Sequence, residues 1–215
     1  MARRNANPPD VEDIREGRIR AANERRIVRA ATKVFARKGF DGARMSEIAA
    51  QVGLPKANVY YYFASKEKVY RAVLARLIRG WDDALKHIRA DGDPIECLEA
   101  YVRAKLDYAR RNADESRVFA AEILRGAGFL SRTDRNHMRL VTRSHAGIVD
   151  HWVATGKLRP VDSRRLFILL WAATQFYVDF DTLARDALEK PRLDVSDYEL
   201  AAQTVVQTVL RGLEP

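Results

Sequence analysis

The stretch MSEIAAQVGLPKANVYYYFASKEKVY, residues 45–70, decides the fold. It holds three consecutive tyrosines, and successive side chains on a helix point about 100° apart, so all three cannot share one buried face. Gly53-Leu54-Pro55 divides the stretch into two short segments of helical period, about 45–52 and 56–62. On the first, Ile48, Ala49 and Val52 can face inward, and Ala49 is small where two helices must approach. On the second, Val59, Tyr62 and Phe63 recur at core spacing, and Leu54 can plug the gap between the helices. Two short helices joined by a tight Gly-containing turn make a helix-turn-helix.

That arrangement leaves Tyr60 and Tyr61 pointing outward and puts Lys56, Ala57 and Asn58 at the exposed start of the second helix. A recognition helix enters the major groove N-terminus first, so these three are placed to meet base edges. Lysine can read guanine, and asparagine can read adenine. The hydroxyls of Tyr60 and Tyr61, together with Lys66 at the start of the next helix, suit phosphate oxygens. The competing reading makes the tyrosines half-buried packing residues and Lys66 an ordinary solvated charge. Charge distribution favours the first. Of the net +9, residues 1–66 carry 14 Lys and Arg against 7 Asp and Glu, and residues 67–215 carry 24 against 22. An acidic partner such as double-stranded DNA is the direct implication.

Upstream, residues 1–17 read as a mobile basic arm, and a helix is expected from about Gly17 to Lys38. Its apolar positions Ile27, Ala30, Ala31, Val34 and Phe35 follow helical spacing, with Arg20, Arg25, Arg29, Lys33 and Arg37 outward and Gly39 as the stop. Downstream, helices are expected from Ser65 to about Arg89, from Pro94 to about Arg111, and over 114–125, 132–155, 162–188 and 195–212. The breaks are DGDP (91–94), GAG (126–128), TGKLRP (155–160) and EKPRLD (189–194). No alternating strand pattern appears. The expected fold is all-α, with about nine helices: an N-terminal three-helix bundle over 18–66 and a larger helical domain over 67–215.

Residues 26–74 resemble the TetR family of one-component transcriptional regulators. The resemblance rests on AATKVFARKGF (30–40), EIAAQVGLPKANVYYYF (47–63) and SKEKVYRAVL (65–74) in order and at matching spacing. It implies an all-helical homodimer with a ligand pocket in each C-terminal domain and an effector that alters the separation of the reading heads. Members usually repress. One departure stands out: where the family often carries a DNA-touching Thr, this chain reads Ala43-Arg44-Met45-Ser46, so Arg44 or Ser46 is the expected phosphate contact.

In the larger half, LFILLWAATQFYVDF (166–180) is apolar almost all round, which predicts a helix buried on most faces. Trp171, Gln175 and Asp179 form one stripe on it. A buried Gln or Asp needs hydrogen-bond partners, supplied by the protein or by a polar ligand. The stretches YVRAKLDYARR (101–111), SRVFAAEILRGAGFL (116–130), WVATGKLRPVD (152–162) and WAATQFYVDF (171–180) are similar to the pyrimidine-utilisation repressor branch of the same family. LIRGWDDAL (77–85) and GRIRAANERR (17–26) share that similarity. It implies a uracil- or thymine-like effector that releases DNA. Trp171 or Trp81 can stack on such a ring, Gln175 offers donor and acceptor, and Asp179 or Glu122 can accept a ring N–H. A drug or an acyl compound remains the alternative effector. Dimerisation in the family uses the last two helices, and here Leu200, Val205, Val209 and Leu213 give the last one an apolar side.

Other chemistry finds little support. His87, His137, His145 and His151 lack ligand spacing, and no metal or cofactor is expected. No Gly-rich phosphate loop or Ser-x-x-Lys arrangement is present, which argues against a small helical enzyme. A non-specific architectural DNA binder would leave the Trp171/Gln175/Asp179 stripe without a role. The lone Cys97 reads as a helix packer, and with no apolar run of about 18 residues or secretory leader a cytoplasmic protein without a membrane span is expected.

Overall fold

The computed structural model describes residues 11–214, and their side chains from Arg15 onward. Ten α-helices follow in order: α1 Val11–Gly42, α2 Met45–Val52, α3 Lys56–Tyr62, α4 Lys66–Leu85, α5 Pro94–Arg111, α6 Ala113–Leu124, α7 Arg132–Ala154, α8 Ser163–Asp179, α9 Asp181–Ala187 and α10 Val195–Val205. A π-turn over Val206–Leu210 and a 3-10 turn over Arg211–Leu213 close the chain, and no strand occurs among the described residues. The chain divides into two compact units after Val73, inside α4. Residues 1–10 of the expected arm lie outside the described residues, whereas Val11 to Gly17 already belong to α1.

The first unit packs α1, α2, α3 and the start of α4 around Ile27, Ala31, Val34, Phe35, Ile48, Val59 and Val69, all buried. Gly39 takes φ 66°, which breaks the regular part of α1 where the sequence placed a stop. The chain then turns Phe40 inward, against Tyr70 at a ring separation of 5.0 Å, while Tyr70 meets Phe35 edge-on at 4.9 Å. Gly53, at φ 72°, ends α2 in the left-handed conformation, and the Leu54 N–H returns to the Ala49 carbonyl at 3.0 Å. The tight turn of the helix-turn-helix is therefore a backbone requirement for glycine.

The second unit is built on Leu98, Tyr101, Val102 and Leu106 of α5, Val149 and Trp152 of α7, and Phe167 and Leu170 of α8. Helices α5, α7 and α8 start on side-chain caps. Asp93 accepts from Glu96 N–H at 3.0 Å with Pro94 in the first turn, Ser131 accepts from Asp134 N–H at 3.0 Å, and Asp162 accepts from Arg165 N–H at 2.9 Å. Caps of this kind contribute about 1 kcal/mol each.

Three further expectations about helix extent change. The segment 162–188 is two helices, bent by 89° between α8 and α9, with Phe180 at φ −118°, ψ 39°. No Gly or Pro marks the break; Asp179, Asp181 and Thr182 are weak helix formers, and the Asp179 side chain is held in a part-buried polar cluster. Regular α10 stops at Val205, and α4 ends at Leu85. The expected burial of 166–180 on most faces also fails: Ile168, Leu169 and Phe176 are exposed on the side of α8 opposite Leu166, Leu170 and Thr174.

Candidate functional site

Two constellations carry chemistry, one in each unit. In the first unit, Arg44, Ser46, Lys56, Ala57, Asn58, Tyr60 and Tyr61 are all exposed. Tyr61 is 69% exposed, far beyond what a packing role would leave. Its ring is fixed from two sides, by the Arg20 guanidinium 5.6 Å from its centroid and by Tyr62 edge-on at 5.1 Å. Tyr62 is in turn held by Asn23, whose Nδ2 donates to the tyrosine hydroxyl at 2.8 Å. Lys56 sits 5.7 Å over the Tyr60 ring. Arg44 precedes α2, its backbone N–H donating to Glu47 Oε2 at 3.0 Å, and the residue is exposed. Glu47 is also paired with Lys38, and that hydrogen bond holds its carboxyl below the usual carboxylate range.

Lys66 differs from the others. Its ammonium donates to the carbonyls of Phe40 at 2.8 Å and Ala43 at 3.1 Å, with Asp41 at 3.4 Å, and lies 4.4 Å over the Phe40 ring. The three donors of a lysine are thereby directed at the carbonyl end of α1. Its position fastens α1 to α4, rather than presenting a free cation to a phosphate.

In the second unit, Gln175 and Asp179 of α8 meet α5 and α6 in a closed polar cluster. Lys105 Nζ donates to Gln175 Oε1 at 2.9 Å, and Gln175 Nε2 donates to Ser116 Oγ at 3.0 Å. Ser116 Oγ donates to Asp179 Oδ1 at 2.5 Å. Lys105 also lies 5.0 Å over the ring of Trp81, which is edge-on to Phe119 at 4.7 Å. One turn before Gln175, Trp171 donates its indole N–H to the buried Tyr101 hydroxyl at 2.8 Å. Burial pushes the Lys105 ammonium down to about 8, against a smaller upward pull from Asp179. Burial likewise raises Asp179, offset in part by Ser116, Gln175 and Lys105. Among the described residues no buried side-chain N or O lacks a partner, so any ligand must exchange with bonds the protein already makes.

Of the five expected ligand residues, Trp81, Trp171, Gln175 and Asp179 line or adjoin this cluster. Glu122 is engaged elsewhere: it accepts the Phe129 N–H at 2.6 Å and pairs with Arg125 at 3.6 Å, pinning the turn at 126–130. Lys105, Ser116 and Tyr101 were missed. Lys105 had a signal, since it interrupts the apolar stripe Leu98, Tyr101, Val102, Leu106, Ala109 of α5. Ser116, in the first turn of a helix, had none. Among the described residues no three His, Cys, Asp or Glu side chains gather as a metal site, and no single helix is long and apolar enough to cross a membrane.

Comparison with known proteins fits this geometry. Residues 27–73 match the family described as bacterial regulatory proteins, tetR family, and residues 74–215 match the YcdC-like protein C-terminal region. The chain is 31% identical over 201 residues to the HTH-type transcriptional regulator RutR of Escherichia coli strain K12, covering 94% of this chain and 95% of that protein. It is 30% identical to the HTH-type transcriptional repressor NicS of Pseudomonas putida, over 62% of each chain. Among solved structures, the TetR family regulator PfmR of Thermus thermophilus superposes with a TM-score of 0.68 at 24% identity, covering 88% of this chain and 96% of that one. AibR, solved with isovaleryl coenzyme A and operator DNA, gives 0.64 at 20% identity, covering 85% and 95%. These relatives are regulators, not enzymes. With both halves matched, and with a relative this similar along nearly its whole length, the chain belongs to the TetR family of helix-turn-helix transcriptional regulators.

Proposed function

We propose that this regulator binds a palindromic operator as a homodimer and is released by a small planar heterocycle bearing alternating N–H and C=O groups, such as uracil or thymine. The observation that carries the ligand class is the cluster of Lys105, Gln175, Ser116 and Asp179 beside Trp81 and Trp171. It offers donors, acceptors and indole faces within one partly buried region, which suits a flat ring with a polar rim. Titration of uracil and thymine followed by tryptophan fluorescence tests this. Saturable quenching is expected, and it should vanish in Gln175→Ala with the fold intact. Trp152 is fully buried and its indole N–H donates to the Ala90 carbonyl, so it shares no hydrogen bond with the cluster and the expected signal comes chiefly from Trp81 and Trp171. No response to either base, with no shift in melting temperature, would discard the pyrimidine reading.

On the DNA side, Lys56, Ala57 and Asn58 meet base edges, while Arg44, Ser46, Tyr60 and Tyr61 take phosphates. Because Lys66 is held by three carbonyls, its contribution to DNA affinity is through the placement of α1. Asn58→Ala should cost about 1–3 kcal/mol of discrimination between operator and mismatched duplex. Tyr61→Phe should weaken both duplexes alike, by the loss of one phosphate hydrogen bond, about 1 kcal/mol. Competition binding at fixed salt measures both, and equal losses of discrimination in the two variants would overturn the docking.

The dimer reading rests on the apolar side chains that α8, α9 and α10 leave uncovered: Ile168, Leu169, Phe176, Leu183 and Leu200. Of the four residues expected to form the apolar side of the last helix, only Leu200 is exposed. Val205 is buried in the core of its own unit, and Val209 and Leu213 pack against that core.

A further inference from the structure

One polar side chain interrupts the buried stripe of α1. Asn23 stands one turn before Ile27, on the stripe that Ala30, Ala31 and Val34 continue, where the period calls for an apolar residue. It is half-buried, and its Nδ2 donates to the Tyr62 hydroxyl at the end of α3 at 2.8 Å. Its Oδ1 accepts from an Arg26 guanidinium nitrogen at 3.4 Å, and the other nitrogen of that fork reaches the Val52 carbonyl at 3.5 Å. A guanidinium can only donate, so Oδ1 faces Arg26 and the amide nitrogen is left for the tyrosine. Both bonds then run one way, from Arg26 to Asn23 and from Asn23 to Tyr62.

That row ends on a donor. The Tyr62 oxygen already accepts from Asn23, so its own proton is directed elsewhere, and among the described residues the hydroxyl donates to no protein acceptor. Tyr62 is half-buried, although its spacing groups it with the fully buried Val59. The surroundings are cationic. Arg20 and Arg26, three residues to either side of Asn23, are exposed, and Arg20 lies over the ring of Tyr61, which packs edge-on to Tyr62. Glu24, the carboxylate of the same turn, is paired with Arg20 Nε at 3.0 Å. An O–H donor beside two guanidiniums suits an anionic oxygen.

We propose that Asn23 is a positioning residue for DNA binding: it fills the acceptor side of the Tyr62 hydroxyl and so turns the tyrosine proton outward, to a backbone phosphate. This role presupposes the docking of α3 inferred above. It adds Tyr62 to the phosphate contacts and gives α1 a part in docking without a base contact. A contact of this kind carries no sequence information and, being neutral, displaces no counterion.

The test compares operator, selected from random sequence, with a scrambled duplex of equal length across a range of salt. Tyr62→Phe should weaken both duplexes about fivefold, the loss of one hydrogen bond, and leave the slope of log affinity against log salt unchanged. Asn23→Ala should weaken both about threefold where the hydroxyl is present and not measurably in the Tyr62→Phe background. Asn23→Asp reverses the bond, because a carboxylate accepts the tyrosine proton. Its loss should be clearly greater in the wild-type background than in the Tyr62→Phe background, a comparison that cancels the added charge. Equal losses from the Asn23 variants in both backgrounds, or a Tyr62→Phe protein with unchanged affinities, would mean a bond that only fastens α1 to α3, and would overturn the proposal. Replacing operator phosphates one at a time by neutral methylphosphonates gives a check that leaves Asn23 intact. One position in each half-site should cost wild type affinity and cost Tyr62→Phe nothing; the lack of any such position also overturns the proposal. If Asn23→Ala melts early, this second comparison decides. If selection yields no operator, the α3 docking fails, and the affinities for scrambled duplex still decide the role of Asn23.

Discussion

Lys105→Met is expected to abolish a rise in stability between about pH 8 and pH 10.5 that the wild-type protein shows. Burial sets the Lys105 ammonium at about 8, below its ordinary 10.5. Between those values the unfolded chain holds a proton that the folded chain has released, so folding stability increases with pH across that window. The full difference amounts to about 3 kcal/mol, at 1.36 kcal/mol for each unit of displacement. Below pH 8 both states are protonated and the cost of burying the cation is borne in full. Methionine keeps the stem's volume and has nothing to titrate. Tyrosines and other lysines also ionise near pH 10, so the informative quantity is the difference between the two proteins in urea denaturation at pH 7.5 and pH 10. Parallel profiles would show that Lys105 is solvated after all. The same substitution should lower uracil affinity by about 10- to 100-fold, since a hydrogen bond from a charged donor contributes roughly 1.5–3 kcal/mol. Together the two losses would identify Lys105 as a cation held at an energetic cost for the sake of a ligand.

The residues that were legible in sequence are those whose role is local. Ile27, Ala31, Val34 and Phe35 declare the buried face of α1 by spacing, Gly53 declares the turn, and Tyr60 and Tyr61 are forced outward once Val59 is buried. Roles that depend on distant partners were not legible. Lys66 looks like any surface lysine until the end of α1 folds back beneath it, and Glu122 looks like a free acceptor until the 126–130 turn brings the Phe129 N–H onto it. No Gly or Pro marks the bend at α9, and the weak helix formers Asp179, Asp181 and Thr182 around Phe180 are too slight a local signal to announce it. Periodicity also misjudged α8 for a definite reason. A helix apolar all round reads the same whether its second face meets the rest of its own chain or a separate surface.

That second face supports the largest effect expected of any surface substitution. Leu169 and Phe176, at i and i+7, share one stripe of α8, and Phe176 stacks on Phe180 at a ring separation of 5.3 Å, so the patch continues to the bend. If a second copy covers it, each protomer buries Phe176 at the two-fold interface, where a phenylalanine contributes roughly 1.5–3 kcal/mol. Phe176→Glu removes that contribution twice and sets two carboxylates in a desolvated contact, a further cost of several kcal/mol. The variant should therefore sediment as a monomer at concentrations where wild type is a dimer. Because Phe176 faces away from its own core, the monomer should keep its helical content. Operator affinity should fall at least 100-fold, since a monomer engages one half-site and loses the joint binding of two. A half-site duplex distinguishes the causes: both proteins should bind it equally if the reading head is intact. A variant that remains dimeric and binds operator normally would place the dimer contact elsewhere and leave this apolar face for another partner.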